Sequence, residues 1–248
     1  MSNLVNGLVF SLSCLTDLGD KKIAQQVIST FLASAPGIKP KKAGAFQAES
    51  DITDPEALVE LLVNEESMHE GMRGGSLVLE ASKDCGFQVQ WNKSPHAGFP
   101  FVGGHLMFSA ISKNSALLGE FLALIKELVR VTRPAYGEVR SMAVRGWDVP
   151  MNLELRLPDI PSVSIYGRQY IDMFGRDRIE TAPFVAREMI GECFWLVAHQ
   201  PVFDGVPDEQ RQRIRNHLGA DAFMADGKWK YSDGCAPKFD LSAFRGLH

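Results

Sequence analysis

No stretch of this chain approaches the roughly 18 to 20 uninterrupted apolar residues that a membrane helix needs. Its opening, Met1 to Gly7, has neither the basic nor the apolar region of a secretory signal. The expectation is a cytoplasmic protein without membrane contact. Paired cysteines are also missing: Cys14, Cys85, Cys193 and Cys235 lie far apart with no Cys-x-x-Cys step. That spacing spells neither a zinc knuckle nor a thioredoxin-like redox site. A net positive balance is missing too, with a formal net charge of -4 and a pI near 5.9. A nucleic-acid surface needs clustered Lys and Arg to displace counterions, so no nucleic-acid partner is expected.

The short signatures of common chemistry are absent as well. There is no Gly-x-x-x-x-Gly-Lys loop, Gly-x-Gly-x-x-Gly turn, His-Glu-x-x-His helix or Gly-x-Ser-x-Gly elbow. No catalytic residue, cofactor or metal ligand set is therefore expected. An enzyme whose site is assembled from distant residues escapes that test, and it remains the rival reading, drawing on His69, His96, His105 and nearby carboxylates. A third reading is a structural or adaptor subunit of a phage or secretion system.

What is present is an ordinary globular mixture, 45% hydrophobic and 23% charged, long enough to bury a core without covalent staples. Leu8 to Leu15 alternates as a strand does, and Asp17 or Asp20 then caps a helix with Ile23, Val27, Ile28, Phe31 and Leu32 on its apolar face. A strand is expected over 43–48. Thr53 or Asp54 caps a second helix, in which Pro55 suits the first turn and Leu58, Leu61 and Leu62 mark the apolar stripe. Residues 76–81 and 87–91 read as a hairpin, and 105–111 as a further strand. The longest helix follows Asn114, carries Leu117, Phe121, Leu124, Ile125 and Leu128, and stops at Pro134. Beyond it come strands over 137–144 and 151–157, an irregular helix over 166–179, a second hairpin across Gly191 and a helix over 207–218 ended by Gly219.

These elements predict an α+β fold, mainly antiparallel sheet with helices packed on one face, in a single compact unit. The order strand, long helix, strand, shorter helix, hairpin occurs twice. It outlines two similar halves over 1–103 and 104–219, a candidate duplication, with a C-terminal coil over 220–248.

One segment has a charge that the whole-chain figure conceals. Between Ala43 and Met72 there is no Lys or Arg, yet Glu49, Asp51, Asp54, Glu56, Glu60, Glu65, Glu66 and Glu70 all fall there. A solvated helix start explains some of it, since carboxylates are favoured at helix N-termini. An acidic face would also attract and orient a basic partner. Glu65 and His69 would share a face if the helix ran that far. The candidate contact residues are Asp51, Glu56, Glu60, Glu65 and Glu66. Tyr166 and Tyr170 join them as aromatic anchors, because tyrosine is favoured at binding hot spots. For Phe174 and Trp195 core packing is expected.

The stretch from Ile165 to Pro183, with its aromatics, glycines and Ala-Pro step, leads into a hairpin, a charged helix and Asn216 to Phe223. This second half resembles the immunity protein 52 family of bacterial polymorphic toxin systems. The resemblance implies an α+β protein encoded beside a toxin, often a nuclease of restriction-endonuclease-like fold delivered by a secretion system. Such a protein protects its owner by binding the toxin. A nuclease must carry a basic substrate groove, which a carboxylate-rich surface can cover.

Overall fold

The computed structural model describes residues 6–64, 66–69, 72–94, 96–142, 152–224 and 235–245. The fold is α+β, with helices and antiparallel strands in both of two compact units. One unit comprises Val9–Pro134 and Asp240–His248, the other Met1–Leu8 and Ala135–Phe239.

In the first unit, β1 (Gly7–Ser13) enters from the other unit's share of the chain and lies beside β7 (Phe101–Met107). The order continues through β6 (Cys85–Lys93), β5 (Met72–Ser82), β2 (Lys42–Gly44) and β3 (Ser50–Asp51), and β4 (Glu66–His69) also pairs with β5. The β7–β6, β6–β5, β5–β2, β5–β4 and β2–β3 pairs are antiparallel. Helices α1 (Lys21–Leu32), α2 (Pro55–Val63) and α4 (Ala116–Thr132) cover one face of this sheet. Their contact is aromatic. Phe31 of α1 meets Phe87 of β6 with ring centroids 4.9 Å apart, and Phe121 of α4 meets Phe10 of β1 edge-on at 5.6 Å. Offset and edge contacts of this kind suit the ring quadrupole. Space for the rings comes from Gly104 on β7, where a Cβ would fall 2.6 Å from Phe87 and 2.9 Å from Phe10.

The caps follow the expected chemistry. Of the two candidates Asp20 caps α1, accepting from the Lys22 and Ile23 amides, and Asp54 caps α2, accepting from Glu56 N–H at 2.9 Å with Pro55 at the first turn. Helix α4 ends at Arg133, left-handed at φ 44°, immediately before Pro134. The strand expected over 105–111 sits earlier: β7 ends at Met107 and residues 108–111 form the short helix α3 (Phe108–Ile111). The strand expected over 43–48 stops at Gly44, because the chain doubles back so tightly that a Cβ there would lie 1.9 Å from the Gln47 carbonyl oxygen. Of the residues expected as coil over 220–248, the described ones include a 3-10 turn at Ala220–Ala222 and the short helix α8 (Ser242–Arg245), which docks through Ser94 N–H to the Phe244 carbonyl and Arg245 Nε to the Ala97 carbonyl.

In the second unit β8 (Tyr136–Ser141), β9 (Val163–Tyr166), β11 (Cys193–Val197) and β10 (Ala186–Ile190) form an antiparallel run in that order. The helix expected over 166–179 is in fact the end of β9 followed by α5 (Arg168–Phe174) and α6 (Arg176–Thr181), separated by Gly175 at φ 84°. That left-handed backbone is open to glycine at no steric cost. Residues expected as a strand over 151–157 turn instead, with Leu155 and Arg156 N–H bonding the Asn152 carbonyl; residue 151 lies outside the described set. Helix α7 (Asp208–Leu218) begins acidic, ends basic and stops at Gly219, as expected. The element order of the two halves recurs, but the pairing does not. In the first hairpin the leading strand β5 takes the next strand, β2; in the second the trailing strand β11 takes β9.

One junction holds α2 in place. The Trp91 indole N–H donates to the Leu62 carbonyl at 2.8 Å, and a Cβ at Gly75 would fall 1.9 Å from that same oxygen. Gly75→Ala is expected to force α2 away from β5 and lower stability by about 1–3 kcal/mol, the usual cost of overpacking a close contact. Urea denaturation followed by tryptophan fluorescence measures the loss.

Candidate protein interface

The acidic segment occupies the β3 edge of the first unit and the start of α2. Asp51, Glu56 and Glu60 are exposed, as are Glu49 and Asp54. Not all of this charge faces solvent unopposed. Lys42 stands directly across the β2–β3 pair from Asp51, and Lys21 Nζ lies 2.5 Å from Glu60 Oε1. The hydrogen bond and charge of Glu60 raise the Lys21 pKa, with Glu56 adding to the effect. Helix α2 ends at Val63, Asn64 is extended, and His69 lies in β4 and not on a helix. The register of β4 against β5 wins over helix continuation here, as Glu66 pairs with Gly74 and Ser67 with Arg73. Glu65 and Glu70 lie outside the described residues, and Glu66 is placed only by its backbone in β4.

Beside these carboxylates is a feature the sequence reading missed. Phe46 is 65% exposed and Leu61 37%, and both line one shallow cup of about 40 Å³ with Ala45, Asn64, Gly74, Gly75 and Ser76. Gly74 and Gly75 line its floor, and the places their side chains would take are already held by the Leu62 carbonyl and by Trp91. Phe46 rides on the β2–β3 turn, which is pinned by the Lys42–Asp51 and Ala43–Ser50 pairs and by Glu49 N–H to the Gln47 carbonyl at 3.1 Å. Leu61 faces outward because its neighbours Leu58 and Leu62 are the ones buried in the core. The sequence offered only a weak signal: an aromatic just past a glycine in a run read as strand.

Tyr166 and Tyr170 need correcting as partner anchors. Each is 1% exposed, and with Tyr136, Phe174 and Phe223 they form the core of the second unit, ring centroids 5.4–6.2 Å apart. Tyr166 closes β9, and Gly167 starts α5 so that Tyr170 folds back onto it. Phe174 and Trp195 are buried, as expected.

A buried acid lies next to this aromatic core. Glu138 is 2% exposed on β8; it accepts from Tyr136 Oη at 3.2 Å and lies 3.1 Å from Arg140 Nε. Ser164 stands opposite it across the β8–β9 pair. Burial raises the Glu138 pKa above the ordinary carboxylate range, against the pull of Arg140 and the Tyr136 hydrogen bond. The enclosure fits an internal polar strut, and Tyr136 is itself pushed upward, first by burial and then by the Glu138 charge. His105 is partly buried, and desolvation lowers its pKa; His96 is exposed. Cys85 is buried, with its thiol pushed up to about 12 by desolvation, well away from the thiolate form that reactive cysteines use. Among the described residues no three His, Cys, Asp or Glu side chains gather closely enough to hold a metal ion. No helix among them is long and apolar enough to cross a membrane.

No protein-family model matches the chain, and no curated protein matches it in sequence. The fold does have a solved counterpart. The Pseudomonas aeruginosa T6SS protein PA0821 superposes with a TM-score of 0.58 over 97% of this chain and 81% of its own, at 13% identity. At that identity the likeness is one of fold. The resemblance to the immunity protein 52 family stands on the residues of the second half alone.

Two outcomes follow from the charges. Because Glu138 binds its proton more tightly folded than unfolded, its contribution is complete below the unfolded pKa of about 4.3 and is lost as pH rises through the folded value. Wild type should therefore lose stability relative to Glu138→Gln as pH rises from about 4, measured as the difference between their urea midpoints across pH. Lys21→Ala should leave the unfolding midpoint unchanged, since both partners of the Lys21–Glu60 pair are more than half exposed.

Proposed function

We propose that this protein is an immunity protein that binds and neutralises a cognate antibacterial toxin by non-covalent contact in the cytoplasm. The toxin is a nuclease effector with a basic substrate groove, delivered by a type VI secretion system. The observation that carries the reading is the exposed carboxylate face of β3 and α2, where Glu49, Asp51, Asp54, Glu56 and Glu60 meet solvent beside an exposed aromatic. Opposite charge speeds encounter and sets orientation, and the affinity comes from a few well-packed apolar groups. This surface has both parts.

Two further lines support the reading. The second half resembles immunity proteins in its residues, and the solved protein of like fold is a T6SS protein of Pseudomonas aeruginosa. On this account the protein acts as a stoichiometric inhibitor and not as a catalyst. A nuclease with its groove covered cannot reach its phosphate backbone, whatever its own catalytic residues.

The test is binding to the purified product of the adjacent gene. A stable complex on size exclusion is expected, together with loss of nuclease activity at one equivalent and protection of cells expressing the toxin. Association should slow tenfold or more in a Glu56→Lys, Glu60→Lys double variant and become less sensitive to salt, because surface charge is screened beyond about 10 Å at 0.1 M ionic strength. Separate elution at micromolar concentration would remove the reading.

A further inference from the structure

We propose that the centre of the partner contact is the cup between Phe46 and Leu61, and that it receives one aliphatic or aromatic side chain flanked by lysines or arginines. The inference rests on the proposed function only for the identity of the partner.

Exposure and rigidity coincide here. Phe46 is the most exposed large hydrophobic among the described residues, yet its turn is closed by two strand pairs and by the close approach of Gly44 to the Gln47 carbonyl. A ring held at the surface by a fixed turn loses little freedom on binding, which is the condition for a strong anchor. The cup of about 40 Å³ is too small for a nucleotide or a cofactor, whose pockets run to roughly 300 Å³ and above. It does have room for the tip of a single side chain.

Charge selects what can flank that side chain. Glu49 and Asp51 stand on the Phe46 turn and its strand, and Glu60 precedes Leu61 on α2, while Asp54 and Glu56 hold the start of the same helix. The chain contributes no cation between residues 43 and 72. An acidic segment arriving here would meet the exposed carboxylates Glu49, Asp54 and Glu56, with Lys42 and Lys21 each already set against one acid, Asp51 and Glu60. A basic one would take Glu60 in place of Lys21, whose bridge is exposed at both ends and held only weakly. Uncharged rims elsewhere would accept many partners; this one favours a hydrophobic residue set among basic ones.

The experiment uses the full chain, isotope-labelled, titrated in NMR with a short synthetic peptide that has one central leucine between lysines and arginines. Shifts should concentrate at Ala45–Asp51, Glu56–Asn64 and Gly74–Ser76. A peptide with alanine for the leucine, and one with glutamine for every cation, should each bind at least tenfold more weakly. Phe46→Ala, an exposed site where the fold should be retained, should weaken the parent peptide or the toxin about thirtyfold, equivalent to the ~2 kcal/mol of a hot-spot truncation. Shifts mapping elsewhere, no shift at millimolar peptide, or equal binding by Phe46→Ala would overturn the proposal. If the toxin binds but Phe46→Ala binds it equally well, this inference fails and the immunity reading stands. Peptide binding at the cup without any complex with the adjacent product leaves the cup in place and defeats the immunity reading.

Discussion

The acidic face has its shape because α2 is clamped to β5 through a gap where no side chain stands. Gly75 lets the Leu62 carbonyl approach closely enough for the Trp91 indole to hydrogen-bond it, so a carbonyl near the C-terminus of α2 finds its donor in the sheet. With Leu62 and Leu58 turned inward by that clamp, Leu61 has to face out. Asp54, capping the other end, fixes where the helix begins and therefore where Glu56 and Glu60 emerge. A shift of one residue in this junction would turn the stripe and carry the carboxylates away from Phe46.

The two units use polar chemistry in opposite ways. In the second unit a carboxylate and a phenol are drawn inside, where Glu138 accepts from Tyr136 and lies within ion-pair distance of the partly exposed Arg140. Buried groups of this kind cost stability unless fully partnered, and they favour one arrangement of the strands over others. In the first unit the carboxylates stay in water, where each one stabilises the fold little but their summed field reaches outward. That division explains why a net charge of only -4 is compatible with a strongly acidic patch.

Affinity and specificity are also separated in space across the candidate interface. Phe46 and the cup supply apolar area in a fixed position, which is what a durable complex needs. The surrounding carboxylates cannot hold a partner alone, since exposed ion pairs are weak and screened by salt. Charges of this kind act on the rate and orientation of encounter more than on affinity.

The caps and stops of α1, α2 and α4 and the acidic segment were determined by local sequence. Asp20 and Asp54 cap their helices, Pro55 starts one, Pro134 ends another, and the absence of Lys and Arg between residues 43 and 72 holds in any fold. Side-chain fate was decided by tertiary packing. Tyr166 and Tyr170 have the residue type of binding anchors, but β9 and the turn at Gly167 bring them together with Phe174 in the core. Phe46 has the residue type of a core ring, but a strand that stops at Gly44 leaves it in solvent. Caps and charge depend on neighbours a few residues away, which a sequence displays. Burial depends on which distant strand arrives alongside, and that contact exists only once the chain has folded.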